Sequence, residues 1–598
     1  MSTLALPALH GKRPWGHFVA IVALLLAVVA AFAAAEWDLA ALTDAERRAA
    51  AAGRMGAWLA AFLSPDLSTD FLAHGWELTL QTLSAAILGT ALAVVLAYPL
   101  AMGASRAVCV GEESARGVWR HFPLRSPAAL LCALCRLIQD VLRAVPDFVW
   151  AIILVAMIGL GPLTGALALA LNITGILAKV YSELWDSVPE PRYTQVRGLG
   201  GGRIATFLYG IRPLASRNVL SFTLMRAECA IRNAAVIGAV GGGGLGAEIW
   251  YQIRFGAWDK VGTLILFTLL LTLTADLASN YIRRQLRGDP NRSAAPVSCG
   301  VAGAVDTEAV VIRPPRAAWW AAGFVGLVTA WSLWFMGWGN RAGQDGAARN
   351  HLEPALELFT GQAWENLRFF ERLLSPVLEA EFVWRVVQSA AIPLAIAVVG
   401  TLLGVAGAIV LTRWHSASFQ LHAPRFTGET PPLWLRGLRA LQLAAARATA
   451  MVARGVPEVM WAFLLIAFFG PGLVAGTLAI ALHTLGVLGR VFGEAVDNLP
   501  LSRFEPAAGA SCTVTYGAVA VPLAWREWMS YAFFQFESNV RAAVVLGLIG
   551  VGGLGFQFAF NFEWFRFERA GTYLIAMILL TVLIDRASRL LKLGSVSR

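Results

Sequence analysis

The chain has 598 residues, of which 57% are hydrophobic and only 14% charged, with a mean hydropathy of +0.62. A soluble protein of this size carries roughly a quarter charged residues, so a soluble globular fold is excluded. The net charge of +10 does not indicate a nucleic-acid partner: the basic residues lie between apolar stretches, where they set membrane topology, and no basic module with an aromatic stacking platform is visible.

In chain order, Lys12 and Arg13 precede an apolar run, read as a retained first span at 16–36. Segments near 77–103, 144–160, 162–182, 216–240 and 260–284 follow, each close to the ~20 residues that cross a bilayer. A second set lies near 316–337, 388–412, 455–470, 472–492, 525–549 and 569–592. Stretches 41–62 and 351–374 read as amphipathic helices lying on the outer leaflet. The expected architecture is all-α and polytopic, with two halves (1–284 and 316–598) of about six transmembrane helices each, joined by a Pro-containing cytoplasmic linker over 285–315. Arginines cluster after spans two, four and six, which places those loops and both termini in the cytoplasm.

The two sets are an internal repeat. Glu228-Cys-Ala-Ile-Arg232…Gly246 returns as Glu537-Ser-Asn-Val-Arg541…Gly555 at an offset of 309, with ten of nineteen positions identical. Upstream the offset is 311: Ser64-Pro65 matches Ser375-Pro376, Arg143…Trp150 matches Arg454…Trp461, and Asp186 matches Asp497. Downstream, Gly262-Thr263 matches Gly571-Thr572. Parallel repeats with an even number of spans are related by an axis along the membrane normal, and a transport path on that axis follows.

Three constellations recur in both halves. Glu228 with Arg232, and Glu537 with Arg541, stand at i, i+4 on one helix face in mid-segment. Either each pair neutralises itself inside a span, or the arginines line a path and favour an oxyanion. Gly241, Gly243, Gly244 and Gly246, with Gly550, Gly552, Gly553 and Gly555, fit GxGxxG. An apolar helix and not a strand precedes each, which excludes the dinucleotide fingerprint; a gate hinge or plain close packing remains. Matched acids Asp147 and Glu458 line an inner mouth or bond nearby backbone. The Cys132-Ala-Leu-Cys135 pair has no second pair or His partner, and no metal cluster, catalytic set or cofactor site recurs in both halves.

Between spans four and five, Gly200, Arg203, Tyr209, Gly210 and Pro213 parallel Glu505, Ala507, Ala508, Gly509, Tyr516, Gly517 and Pro522. A short helix, a glycine break and a second short helix ending before proline is the physical reading. Here the chain resembles the cytoplasmic coupling motif of ABC importer permeases, Glu-Ala-Ala followed three residues later by Gly. The second copy keeps Glu505 and Ala507-Ala508-Gly509, whereas the first has Gln195 and Gly198. The span-five motif, Phe536-Glu537…Asn539…Arg541…Gly555, resembles permeases of phosphonate importers, some of which carry phosphite-like oxyanions. The resemblance implies two such permeases fused, where the family has a homodimer. It also implies two cytoplasmic ATPase subunits docking on about 192–213 and 501–522, a periplasmic binding protein, and ATP and Mg²⁺ held by the partner ATPase. No GxxxxGK[ST] motif is present in the chain. The alternatives are an importer permease for another solute such as methionine, a twelve-span secondary transporter, and a membrane-bound enzyme.

Overall fold

In the computed structural model, described residues are Val29, Ala33, Trp37, 44–109, 127–189, 192, 193, 196, 198–287, 316–339, 368–421, 432–499 and 511–596. The expected span at 16–36 lies almost wholly outside them, as do the linker, most of 351–374 and the Glu505–Gly509 motif. Among the described residues the structure is helical, with no strand.

The first repeat comprises α1 (Ala45–Leu63), α2 (Thr69–Ala104), α3 (Arg106–Cys109), α4 (Pro127–Ala144), α5 (Asp147–Ile158), α6 (Pro162–Asp186), α7 (Arg203–Thr206), α8 (Arg212–Ile237), α9 (Gly244–Phe255) and α10 (Trp258–Arg287). The second comprises α11 (Arg316–Trp334), α12 (Arg368–Leu373), α13 (Ala380–His415), α14 (Ala417–Gln420), α15 (Leu433–Gly455), α16 (Glu458–Phe469), α17 (Leu473–Asp497), α18 (Cys512–Thr515), α19 (Val521–Leu546), α20 (Leu554–Glu563) and α21 (Phe567–Val596). Among the described residues, seven helices are long and apolar enough to cross a membrane, or nine if two bent pairs count as single spans.

The bent pairs correct the sequence reading of span three. The expected spans 144–160 and 455–470 are helices α5 and α16, each of 12 residues and about 18 Å long, too short to cross alone. Each is joined to an amphipathic helix, α4 or α15, at 89° and 91°. The cause is local. Val145-Pro146 and Val456-Pro457 sit at the elbows, and the residue before proline is driven out of helical conformation. The tryptophan of the matched motif closes the corner: Trp150 Nε1 donates to Leu142 O (3.4 Å), and Trp461 Nε1 to Ala453 O (3.0 Å). Gly175 of α6 and Gly486 of α17 lie against the backbone of Arg143 and Arg454, where a Cβ has no room.

Span five of the first repeat also departs from the hydropathy reading. Helix α8 carries Arg217, Arg226, Glu228 and Arg232 and is not among the apolar spans, while its twin over Cys512–Val551 is.

Spans two and four form the tightest contact of each repeat, α2 on α6 and α13 on α17. A stripe of small residues at every fourth position permits it. Gly89, Ala93, Ala97 and Ala101 are buried in α2, and their twins Gly400, Gly404, Ala408 and Thr412 in α13.

Two compact units emerge: residues 52–371 with 455–457, and residues 1–51 with 372–454 and 458–598. Each therefore includes the leading segment of the other repeat. In the first, α11 packs on α2 and α10, and Met336 is buried beside Ala85 and Ala166. In the second, Trp37 packs against the buried Ala395, as do Ala391 and Leu394.

Candidate functional site

The Glu-Arg motif lies near the C-terminal end of the long span-five helices α8 and α19. Both carboxylates are buried. Arg541 Nη1 donates to Glu537 Oε1 at 3.1 Å, whereas Arg232 Nη2 lies 3.8 Å from Glu228 Oε1 and donates to Cys229 Sγ at 3.3 Å. The intrahelical pair is thus present in both repeats, tight in the second and loose in the first. Mid-span charges that face lipid are costly; these are instead held inside, each cation within reach of an acid on its own face.

The polar groups around the pairs have diverged. In the first repeat Asn233 Nδ2 donates to Asp147 Oδ2 at 2.7 Å, joining span five to the start of α5. In the second the matched acid Glu458 lies 3.7 Å from His483 Nε2 of α17. There Asn539 Nδ2 donates to both Thr401 Oγ1 (2.8 Å) and Thr484 Oγ1 (2.9 Å) and accepts from Gln535 Nε2 (3.0 Å). Its twin in the first repeat is Ala230. The sequence reading missed this network, because Asn539 has no polar counterpart for a repeat comparison to highlight.

Beyond the arginines the helices break at the glycines and turn back as α9 and α20. Gly241 and Gly550 adopt φ of +106° and +104°, a region open to glycine but costly for other residues. Gly246 and Gly555 pack directly on the carbonyl oxygens of Ala235 and Val544, where a Cβ would overlap them. The motif is a helix–break–helix hairpin in both repeats. Its close approach explains the outer glycines, and its reversal explains the inner ones.

At the opposite end of span five lies the segment whose sequence resembles a coupling motif, hereafter the coupling segment. Gly200 has φ +80°, and Arg203 Nη1 donates to the Cys109 carbonyl at 2.7 Å, fixing the segment to the end of α3. The chain then runs without interruption through α7, a π-helical turn over Phe207–Ile211, and α8. The expectation that proline ends a short helix is corrected: Pro213 and Pro522 are the second residues of α8 and α19, directly after the π-helical turns, and the helix passes through them; the widened turn accommodates the ring and the lost backbone bond.

The two Tyr-Gly pairs are out of register by two residues. Tyr516 opens the second π-helical turn, Tyr516–Ala520, at the place held by Phe207. It is buried, and its hydroxyl donates to Ile409 O at 2.6 Å. Phe207 is likewise buried, 4.7 Å from Trp185 between ring centroids. Tyr209, in contrast, is 75% exposed. Gly210 packs on Tyr193, whereas Gly517 faces open space.

The stretch from the elbow helix through span six of the first repeat, residues 126–288, matches a family described as the inner-membrane component of binding-protein-dependent transport systems. The match takes in the elbow, the coupling segment, the Glu-Arg pair and the glycine hairpin. The chain belongs to this permease family. The permease is 27% identical over 514 residues to the phosphate-import permease protein PhnE of Mycolicibacterium smegmatis, covering 86% of this chain and 84% of that protein. It is 28% identical over 208 residues to the phosphite transport system permease protein PtxC of Stutzerimonas stutzeri, covering 35% of this chain and 70% of the relative. It is 30% identical over 118 residues to the putative cryptic phosphonate transport system permease protein PhnE2 of Escherichia coli K12, covering 20% of this chain and 97% of the relative. No solved structure matches the permease.

Proposed function

We propose that this inner-membrane permease imports phosphonate- and phosphite-type oxyanions by alternating access, driven by ATP hydrolysis in two separate cytoplasmic ATPase subunits. A periplasmic binding protein delivers the anion. The two fused repeats stand in for a permease homodimer, with both termini in the cytoplasm. ATP and Mg²⁺ are bound by the ATPase partners, which dock on about 192–213 and 501–522.

The observation that carries the reading is the buried Glu-x-x-x-Arg pair at one position of span five in both repeats. A guanidinium presents forked donors matched to a tetrahedral oxyanion. An acid within 3–4 Å keeps the cation from standing uncompensated when no anion is present. Arg232 and Arg541 are the residues assigned to the substrate path, Glu228 and Glu537 hold them, and the glycine hairpins serve as the outer gate. The relatives' cargoes, all oxyanions of phosphorus by name, support the substrate class.

The long M. smegmatis relative is named for phosphate import, which favours phosphate as a second reading. The test is ATP-dependent uptake by the permease with its ATPase and binding protein in proteoliposomes. Labelled phosphite is the cargo, with methylphosphonate, phosphate and methionine as competitors. Competition by methylphosphonate but not methionine is expected. Transport of labelled phosphate that neither phosphite nor methylphosphonate inhibits would replace the first reading with the second.

A further inference from the structure

The two glycine hairpins share a backbone and differ in what holds them. In the first repeat, Gln81 Oε1 accepts the Gly244 N–H at 2.9 Å, and Thr82 Oγ1 accepts the Leu245 N–H at 2.9 Å. Both side chains belong to span two, and both are buried. The Thr82 hydroxyl also donates to Leu78 O at 2.8 Å, so its proton is committed and a lone pair faces Leu245. These N–H groups open helix α9 and have no acceptor within it; span two supplies one for each.

In the second repeat the same two positions are Ile392 and Pro393. The backbones still approach closely: a Cβ on Gly553 would meet Pro393 Cδ at 3.0 Å and Ile392 Cβ at 3.1 Å. Neither side chain carries an acceptor. The contact between span two and the hairpin is therefore polar and directional in one repeat and apolar in the other. Apolar surfaces slide at little cost, whereas two buried hydrogen bonds must break together.

We infer that Gln81 and Thr82 are a latch, positioning residues that hold the first hairpin against span two, and that the second hairpin, which has no latch, is the one that swings during transport. The inference rests on the reading of these hairpins as the outer gate. Opening is then one-sided: the first repeat is the fixed jamb and the second the moving leaf. A homodimeric permease cannot be built this way, because its two hairpins are identical. A fused chain can assign the roles separately.

Hydrogen–deuterium exchange reads the latch directly, since the bonded amides are the reporters. The full permease is assembled with its ATPase subunits in nanodiscs, and peptides covering 241–248 and 550–557 are compared. Without nucleotide, exchange at 241–248 is expected to be slower by about tenfold or more, the worth of one to two hydrogen bonds. Gln81→Leu with Thr82→Val removes that difference. The reciprocal Ile392→Gln with Pro393→Thr slows 550–557, and unchanged exchange across 147–158 certifies the fold of either variant. With ATP arrested by vanadate, 550–557 is expected to speed up while 241–248 changes less than about twofold. Equal exchange of the two hairpins without nucleotide, or no response to Gln81→Leu with Thr82→Val in a folded variant, overturns the latch. A latch seen without nucleotide but no nucleotide response in either hairpin confirms the latch and overturns the gate reading beneath it.

Discussion

The hydroxyl of Ser105 donates to the carboxylate of Asp186 across 2.7 Å, and Ser416 repeats the bond to Asp497 at 2.5 Å. The same carboxylates accept the backbone N–H groups of Ala107 and of Ala417 and Ser418. Each also faces an arginine of its elbow helix, Arg136 at 3.1 Å and Arg447 at 4.0 Å. One acid at the end of span four thus ties down the chain leaving span two and the amphipathic helix beyond it. Asp186→Asn and Asp497→Asn remove a charge shared by three partners in the first repeat and four in the second, at a cost of about 2 kcal/mol. The detergent-solubilised permease should melt about 2 °C lower. Glu183→Gln, at an exposed position three residues earlier, should leave melting unchanged. Equal melting of all three variants would contradict the tie.

The hairpin glycines are separable by what surrounds them. Gly246→Ala and Gly555→Ala place a methyl on the carbonyl oxygen of Ala235 or Val544, so the hairpin must open, at about 3 kcal/mol. Gly517→Ala, with nothing near its added carbon, should fold and melt like the wild type. Size-exclusion profiles of the three fluorescently tagged variants distinguish them. A monodisperse Gly246→Ala with native melting would show that the close approach is dispensable.

The elbows are clamped unequally. Trp461→Phe deletes a well-formed 3.0 Å bond across the corner and Trp150→Phe a weak 3.4 Å one. Loss of the first should cost about 1 kcal/mol and loss of the second less than half of that. Thermal melting of the two single variants measures the difference, and a larger effect at Trp150 would reverse the assignment.

Substrate contact and helix packing at the span-five pairs need a double variant to separate. Arg541→Ala alone leaves Glu537 buried without its cation and risks failure to assemble. Glu537→Gln with Arg541→Gln retains shape without charge. It should assemble with the ATPase subunits at wild-type yield and take up phosphite about a hundredfold more slowly, the loss of one or two charge-assisted hydrogen bonds to the anion. The matching change in the first repeat, Glu228→Gln with Arg232→Gln, should act in the same direction. Wild-type uptake by both double variants would leave the pairs with a packing role alone.

The amino-acid sequence by itself determined the membrane class, the internal repeat and the pairs of positions that matter. Composition limits solubility directly, and duplication leaves register that can be counted. Ser64-Pro65 and Gly262-Thr263 were legible as repeated motifs long before they were neighbours. In the fold Thr263 Oγ1 donates to Asp66 O at 2.8 Å, and Thr572 Oγ1 to Val377 O at 3.2 Å. Hydropathy could not show that span three is a right-angled elbow, since residues 144–160 read as one apolar window across both the proline corner and the 12-residue helix, and a bend at proline leaves composition unchanged. Nor could it rank the tyrosines of the coupling segment, because matching letters placed Tyr209 with Tyr516, whereas packing places Phe207 there.

What only the tertiary structure decided is where the repeats stop being equivalent. Gln81 and Ile392 are one difference among hundreds in an alignment of the halves. They become meaningful when span two is laid against the glycine hairpin and one side chain offers an acceptor to Gly244 while the other cannot. Hydrogen bonds between residues 163 positions apart depend on how helices pack in three dimensions, and no local pattern of residues encodes them.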